Sequence, residues 1–115
     1  MAAATRQPAV LRLKDAGVWV TEADFASAIV QLARLQGWFV FYVPDSRRSP
    51  AGWPDLTMLK RFGDTTRFIC AEIKTQRGRL NAAQRRCLDL LKGCPGIEVY
   101  VWRPEDFDRV VKVLE

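Results

Sequence analysis

The sequence contains no histidine, and its three cysteines form no CxxC pair. Zinc sites of the usual kind need such ligands, so we expect no zinc site. The absence of histidine also excludes a Ser-His-Asp hydrolase and a histidine-based nuclease. An odd number of cysteines argues against a disulfide framework. Cys70 and Cys87 fall on apolar faces and are interpreted as small core residues.

Long apolar runs are also missing, and none approaches the length needed to cross a bilayer. Near the N-terminus, Arg12 and Lys14 interrupt the apolar residues that a secretory signal would need. We therefore expect a cytoplasmic protein. With 115 residues, of which 49% are hydrophobic, the chain is predicted to fold as one domain.

Positive charge is unevenly distributed along the chain, which has a net charge of +5. Residues 47–92 contain eleven of its lysines and arginines but only four of its acidic residues. A basic surface of this kind suits a polyanion partner, but it is equally consistent with a solvated face that has no partner.

The apolar periodicity predicts a single α/β unit in the order αβββαβα. Residues 1–20 show no clear periodicity and are predicted to form an arm, with a short strand near 18–20. Residues 21–115 are predicted to form the domain, with a mixed four-stranded sheet flanked by helices. Helices are expected over about 21–36, 81–92 and 105–115, and strands over about 38–43, 55–60, 67–74 and 97–102.

Several polar side chains are predicted to converge on one side of this sheet. Glu72 and Lys74 share a face of the third strand because side chains alternate along it. Asp55 begins the neighbouring strand of the same hairpin. Glu22 lies on the apolar face of the first helix, and Gln84 at the inward edge of the second. Converging carboxylates form an oxygen-rich site that suits Mg²⁺ or Mn²⁺.

Each of these residues also has a purely structural interpretation. Glu72 and Lys74 form an ordinary ion pair in that interpretation. Asp55 contributes to a turn, and Glu22 interacts favourably with the helix macrodipole. In the same interpretation, Gln84 forms a hydrogen bond with a loop carbonyl. The structural interpretation weakens when the five placements are taken together, because they point to one side of one sheet.

Two segments, "GWPDL" and "AEIKTQRGRLNAAQ", resemble the PD-(D/E)xK nuclease superfamily. Within it, the chain is similar to the small stand-alone VRR-NUC (virus-type replication-repair nuclease) proteins of phages and bacteria. The resemblance covers residues 21–102. It implies a restriction-endonuclease-like αβββαβ core, to which a C-terminal helix is added here. Trp53 departs from the small or aliphatic residue that family members often carry at this position, and it is expected to shape the nucleic-acid groove.

The resemblance also implies a role for each matching residue. Asp55 and Glu72 would ligate the metal, and the carbonyl of Ile73 would complete the set. Glu22 would bind the metal directly or through water. Lys74 would position the attacking water. A fifth residue, Gln84, would orient that lysine or contact the scissile phosphate region.

The implied activity is Mg²⁺- or Mn²⁺-dependent hydrolysis of phosphodiester bonds in DNA, leaving 5′-phosphate ends. The implied substrate is branched DNA such as Holliday junctions. The implied assembly is a symmetric homodimer. A catalytically silent nucleic-acid-binding module with the same fold is the alternative hypothesis. A third is a protein-interaction domain that docks a partner through the apolar stripe of residues 107–114.

Six arginines lie near the proposed site in this topology and are expected to contact DNA phosphates rather than bases. They are Arg47, Arg48, Arg77, Arg79, Arg85 and Arg86. For the last two, an exposed helix face without a partner is the alternative interpretation.

Overall fold

The computed structural model describes residues 21–43 and 50–115. The predicted arm, its short strand and the two arginines Arg47 and Arg48 lie outside these ranges. The described elements are helix α1 (Glu22–Leu35), strands β1 (Phe39–Tyr42), β2 (Leu56–Phe62) and β3 (Thr65–Ile73), helix α2 (Ala82–Lys92), strand β4 (Ile97–Trp102), a 3₁₀ turn (Pro104–Asp106) and helix α3 (Phe107–Leu114).

The predicted fold class is confirmed, since the four strands form one mixed sheet in the order β1-β2-β3-β4. The pairs β1–β2 and β2–β3 are antiparallel, whereas β3 and β4 run parallel. A two-residue turn at Gly63 and Asp64 joins β2 to β3, with glycine at φ +63°. Glycine first in a two-residue hairpin turn is the pattern of type II′. The turn lets β2 and β3 pair up to Phe62 and Thr65, beyond the predicted strand ends.

Side-chain caps begin both long helices. The hydroxyl Oγ1 of Thr21 accepts a hydrogen bond from the N–H of Asp24 at 3.0 Å. Gly37 follows the end of α1 at φ +92°, a left-handed conformation that glycine adopts without steric cost. Asn81 caps α2 in the same way, by accepting from the N–H of Gln84 at 2.8 Å.

The core lies between the sheet and helices α1 and α3. Seven residues of α1 are buried, including Phe25, Ala26, Ile29 and Ala33, which recur at helical spacing. They pack against the alternate β3 side chains that point to this side of the sheet. No helix in the described ranges is long and apolar enough to span a membrane.

Helix α3 uses its apolar stripe inside the molecule. Phe107, Val110 and Leu114 are at most 3% exposed and belong to the core cluster. The hypothesis that this stripe docks a partner is therefore wrong, because burial against the sheet already occupies it. The helix begins two residues later than predicted, since the 3₁₀ turn at Pro104–Asp106 precedes it.

The other face of the sheet is covered only in part, by α2 through Leu88 and Leu91. Phe39 and Phe41 of the edge strand β1 are 68% and 57% exposed. Cys70 is buried, and burial is the main cause that raises the pKa of its thiol to about 11. The interpretation of this cysteine as a core residue is confirmed.

Arg67 ties β3, β4 and α3 together. Its Nε and Nη2 donate to the two carboxylate oxygens of Glu98 at 2.8 and 2.7 Å, a bidentate pair. Its Nη1 donates to the carbonyl of Val113 at 2.9 Å, near the end of α3. The guanidinium also lies over the ring of Trp38, whose Nε1 donates to the carbonyl of Leu114. One side chain thus satisfies a carboxylate and a helix-terminal carbonyl.

We expect Arg67→Met to lower the free energy of unfolding by about 2 kcal/mol, because Glu98 and the Val113 carbonyl lose charged donors. Urea denaturation followed by circular dichroism measures the change. Arg61→Met, at an exposed position of β2, is the matched control and should stay within about 0.5 kcal/mol of the unsubstituted protein. Equal losses in the two variants would contradict the role assigned to Arg67.

Candidate active site

Three strand ends meet at one edge of the sheet and bring the predicted site residues together. Leu56, the first residue of β2, pairs with Ala71, so the preceding Asp55 lies beside Glu72. On the other side of β3, the N–H of Lys74 donates to the carbonyl of Trp102 at 3.0 Å, which extends the β3–β4 pairing. The hairpin and the parallel crossover therefore place both acids and the lysine at this edge.

Asp55 and Glu72 are linked by two reciprocal hydrogen bonds. The N–H of Asp55 donates to Oε1 of Glu72 at 3.2 Å. The N–H of Ile73, the residue after Glu72, donates to Oδ2 of Asp55 at 2.8 Å. Each carboxylate thus accepts from the backbone of the other strand, which fixes both side chains relative to the sheet.

Negative charge is crowded at this pair. Glu72 is only 2% exposed, and its burial together with repulsion from Asp55 raises its pKa to about 8. Burial also raises the pKa of Asp55, against the opposing effects of the Ile73 N–H, Glu72 and Lys74. The ammonium of Lys74 lies 3.9 Å from Oε2 of Glu72 and offsets part of the charge. The pair is therefore stabilised by additional positive charge.

Gln84 connects this pair to α2. Its Nε2 donates to Oε2 of Glu72 at 2.9 Å, while its Oε1 accepts from the N–H of Asn81 at 2.9 Å. The amide orientation follows from these partners, since a carboxylate can only accept and an N–H can only donate. The capping box of α2 thus holds Gln84 on the carboxylate that contacts Lys74.

Glu22 lies near Asp55 but outside this hydrogen-bonded set. A pocket of about 200 Å³ is lined by Glu22, Ala23, Ala26, Tyr42, Asp55 and Ile73. Burial, followed by the negative charges of Asp55 and Glu22, raises the pKa of Tyr42. In residues 21–43 and 50–115, no group of three or more histidine, cysteine or acidic side chains is close enough to hold a metal ion.

Comparison with family models gives one match, to the VRR-NUC domain, over residues 6–105. The chain belongs to the VRR-NUC domain family. Membership implies nuclease activity, and a nuclease of this kind acts on DNA. Neither the curated proteins nor the solved structures gave a match. The matched range includes residues 6–20, which the sequence resemblance did not cover.

The predicted DNA-contacting arginines of this VRR-NUC domain fall into two described groups. Arg77 and Arg79 are exposed in the loop between β3 and α2. Arg85 and Arg86 are exposed on the first half of α2, and Nη1 of Arg85 donates to the carbonyl of Leu80 at 3.1 Å. Both groups lie close in the chain to Lys74 or Gln84.

Gly52 is a residue whose importance the sequence analysis missed. It lies at φ +88°, and a Cβ there would sit 2.2 Å from the carbonyl oxygen of Ala83 in α2. The backbone of Gly52, which precedes Asp55 by three residues in the chain, therefore touches the first turn of that helix. The glycine of "GWPD" was the available signal, but nothing local indicates which element it contacts.

The close contact predicts that Gly52→Ala destabilises this VRR-NUC domain beyond the cost of backbone strain. Gly96→Ala is the matched control, because Gly96 has a similar φ of +82° and a Cβ added there would meet nothing within 4 Å. We expect the control to cost about 1 kcal/mol. Gly52→Ala should cost about 2 kcal/mol more, since the added methyl overlaps backbone atoms.

Urea denaturation of the two glycine variants gives both values. Equal losses of unfolding free energy would show that the loop withdraws from α2 without cost, which contradicts the packing described for Gly52.

Proposed function

We propose that this VRR-NUC domain is a Mg²⁺- or Mn²⁺-dependent endonuclease that cleaves branched DNA such as Holliday junctions. The proposal includes 5′-phosphate products, a homodimer and a cytoplasmic site of action in a phage or bacterial setting. The observation that carries the chemistry is the pairing of half-buried Asp55 with buried Glu72 beside Lys74 at one sheet edge.

The donor set fits a divalent ion of the hard class. Carboxylate and carbonyl oxygens are the protein ligands that Mg²⁺ and Mn²⁺ favour. Burial raises the pKa of both carboxyl groups, and repulsion from Asp55 adds to the rise at Glu72, so an added cation would relieve that repulsion. Asp55, Glu72 and the Ile73 carbonyl would hold the ion, and Glu22 would reach it directly or through water. The bound ion would supply positive charge to offset charge developing on the phosphate.

Lys74 is the proposed group that orients the attacking water and stabilises negative charge in the transition state. Two contacts fix it in the structure, the backbone bond to Trp102 and the 3.9 Å approach of its ammonium to Glu72. Gln84 acts on Lys74 indirectly, because its amide holds the Glu72 carboxylate that the Lys74 ammonium approaches.

Arginines are the proposed DNA contacts, and they bind the phosphate backbone rather than base edges. The four described ones, Arg77, Arg79, Arg85 and Arg86, are exposed near the site. The preference for junctions and the homodimer rest on the family resemblance and on geometry, since cutting two opposed strands needs two active sites. Light scattering tests the assembly, and a monomer would remove the homodimer without affecting the nuclease proposal.

Metal binding is testable without DNA. A Mn²⁺ concentration about 100 times its Kd should raise the free energy of unfolding of the unsubstituted protein by about 2.7 kcal/mol. Asp55→Asn should abolish this effect, because it removes a proposed ligand. Asp89→Asn, at an exposed position of α2, is the control and should keep it. Calorimetric thermal unfolding with a Mn²⁺ titration measures the shift, and an unchanged shift in Asp55→Asn would place the ion elsewhere.

Cleavage of labelled four-way junction, flap and linear duplex DNA with Mn²⁺ tests the activity. Lys74→Ala should lower the single-turnover rate by about a hundredfold or more, since a group that stabilises the transition state is removed. Binding of the same DNA in EDTA should remain, because the arginines make the phosphate contacts. Lys92→Ala, an exposed lysine at the end of α2, should cleave normally.

Three outcomes of that assay would overturn parts of the proposal. Cleavage by Lys74→Ala at the unsubstituted rate would remove the role of this lysine. Binding without any product from the unsubstituted protein would favour the silent nucleic-acid-binding module. Equal cleavage of all three DNA forms would remove the preference for junctions while leaving the nuclease.

A further inference from the structure

Arg103, the first residue after β4, bonds the loop that follows Lys74. Its Nη1 donates to the carbonyls of Thr75 and Gly78, at 2.7 and 2.5 Å. The side chain is half-buried, so both bonds form partly out of water, where charge-assisted hydrogen bonds are stronger. A guanidinium suits two carbonyls because its donors lie in one plane.

Within the described residues, the middle of this loop, 75–79, has few other hydrogen bonds to hold it. Residues 74–81 contain neither helix nor strand, and within them the N–H of Gly78 donates to the carbonyl of Thr75 at 3.2 Å. On the Lys74 side, the loop joins the sheet through the carbonyl of Trp102. Trp102 thus holds the backbone of Lys74, and Arg103 holds the loop residues that follow it.

Arg103 is itself fixed by the 3₁₀ turn. Its N–H donates to Oδ2 of Asp106 at 2.9 Å, which places its backbone against the start of α3. Its guanidinium forms no ion pair with a carboxylate in residues 21–43 and 50–115. Within the described chain, this side chain is directed to the loop carbonyls.

We propose that Arg103 is a positioning residue that holds the β3–α2 loop so that Arg77 and Arg79 meet the DNA backbone together. The two arginines are exposed in this loop, and Gly78 between them is one of the two residues whose carbonyls Arg103 binds. The inference rests on the proposed function and adds to it a residue that acts through the DNA-contacting arginines.

The first test concerns the loop and uses no DNA. Trypsin cleaves after arginine where the backbone can open, so early cuts after Arg77 and Arg79 report loop opening. Mass spectrometry should show these cuts about tenfold faster or more in Arg103→Gln than in the unsubstituted protein. Arg34→Gln is the matched control, since it removes the same charge from an exposed side chain of α1, and it should not change the rate.

The second test concerns DNA binding in EDTA to a labelled four-way junction, at several salt concentrations. The slope of log affinity against log salt reports how many phosphates the protein neutralises, and it falls by about 0.9 for each phosphate that is no longer neutralised. Arg77→Gln with Arg79→Gln should reduce the slope by about 1.8, and Arg103→Gln alone should approach the same reduction. Adding Arg103→Gln to the double variant should change little, because its effect passes through residues already removed.

Loss of folded protein would lower the active fraction but not this slope, so the readout separates positioning from destabilisation. If Arg103→Gln does not fold at the assay temperature, Arg103→Lys takes its place, since it keeps the charge but loses the planar donors. A further slope reduction of about 0.9 in the triple variant would overturn the inference by making Arg103 a phosphate contact itself.

An unchanged trypsin rate in the Arg103 variant would also overturn the inference while leaving the nuclease proposal intact. Absence of junction binding by the unsubstituted protein would overturn the proposed function and the DNA role of Arg103 with it. In that case, the trypsin result still decides whether Arg103 holds the loop.

Discussion

The reciprocal bonding of Asp55 and Glu72 across the β2–β3 pair is the constraint on which the site depends. Two carboxyl groups at close range repel each other, and burial of Glu72 adds to the cost of their charge. The fold fixes them nonetheless, because each accepts a backbone N–H from the opposite strand. Strand register thus sets the site geometry, and a slip by one residue would move Glu72 to the other face.

The surrounding residues hold this arrangement from three directions. Lys74 supplies opposite charge, Gln84 bonds the more buried carboxylate, and Gly52 lets the preceding loop reach α2. Burial raises the pKa of both carboxyl groups in this pair, and Lys74 opposes the rise. The proposed cation site and its structural support therefore come from the same residues, which is expected where function places charge inside a fold.

Stability and chemistry are divided between the two ends of the sheet. At the end remote from the site, Arg67 joins Glu98 to the last turn of α3. At the site end, Arg103 makes the comparable link from β4 to the loop after Lys74. Both arginines satisfy backbone carbonyls, but only the first also has a carboxylate partner among the described residues. This contrast is the reason for assigning one to stability and the other to the loop that is proposed to face DNA.

Local sequence determined the elements, because periodicity, caps and turn residues act over a few neighbouring positions. Alternation in β3 placed Glu72 and Lys74 on one face, and the family resemblance supplied their expected roles. Tertiary structure alone decided that Gln84 bonds Glu72, that Gly52 touches Ala83 and that Arg103 reaches Gly78. These contacts join segments that are separate in sequence, and their partners are set by strand register and helix packing, which no local pattern encodes.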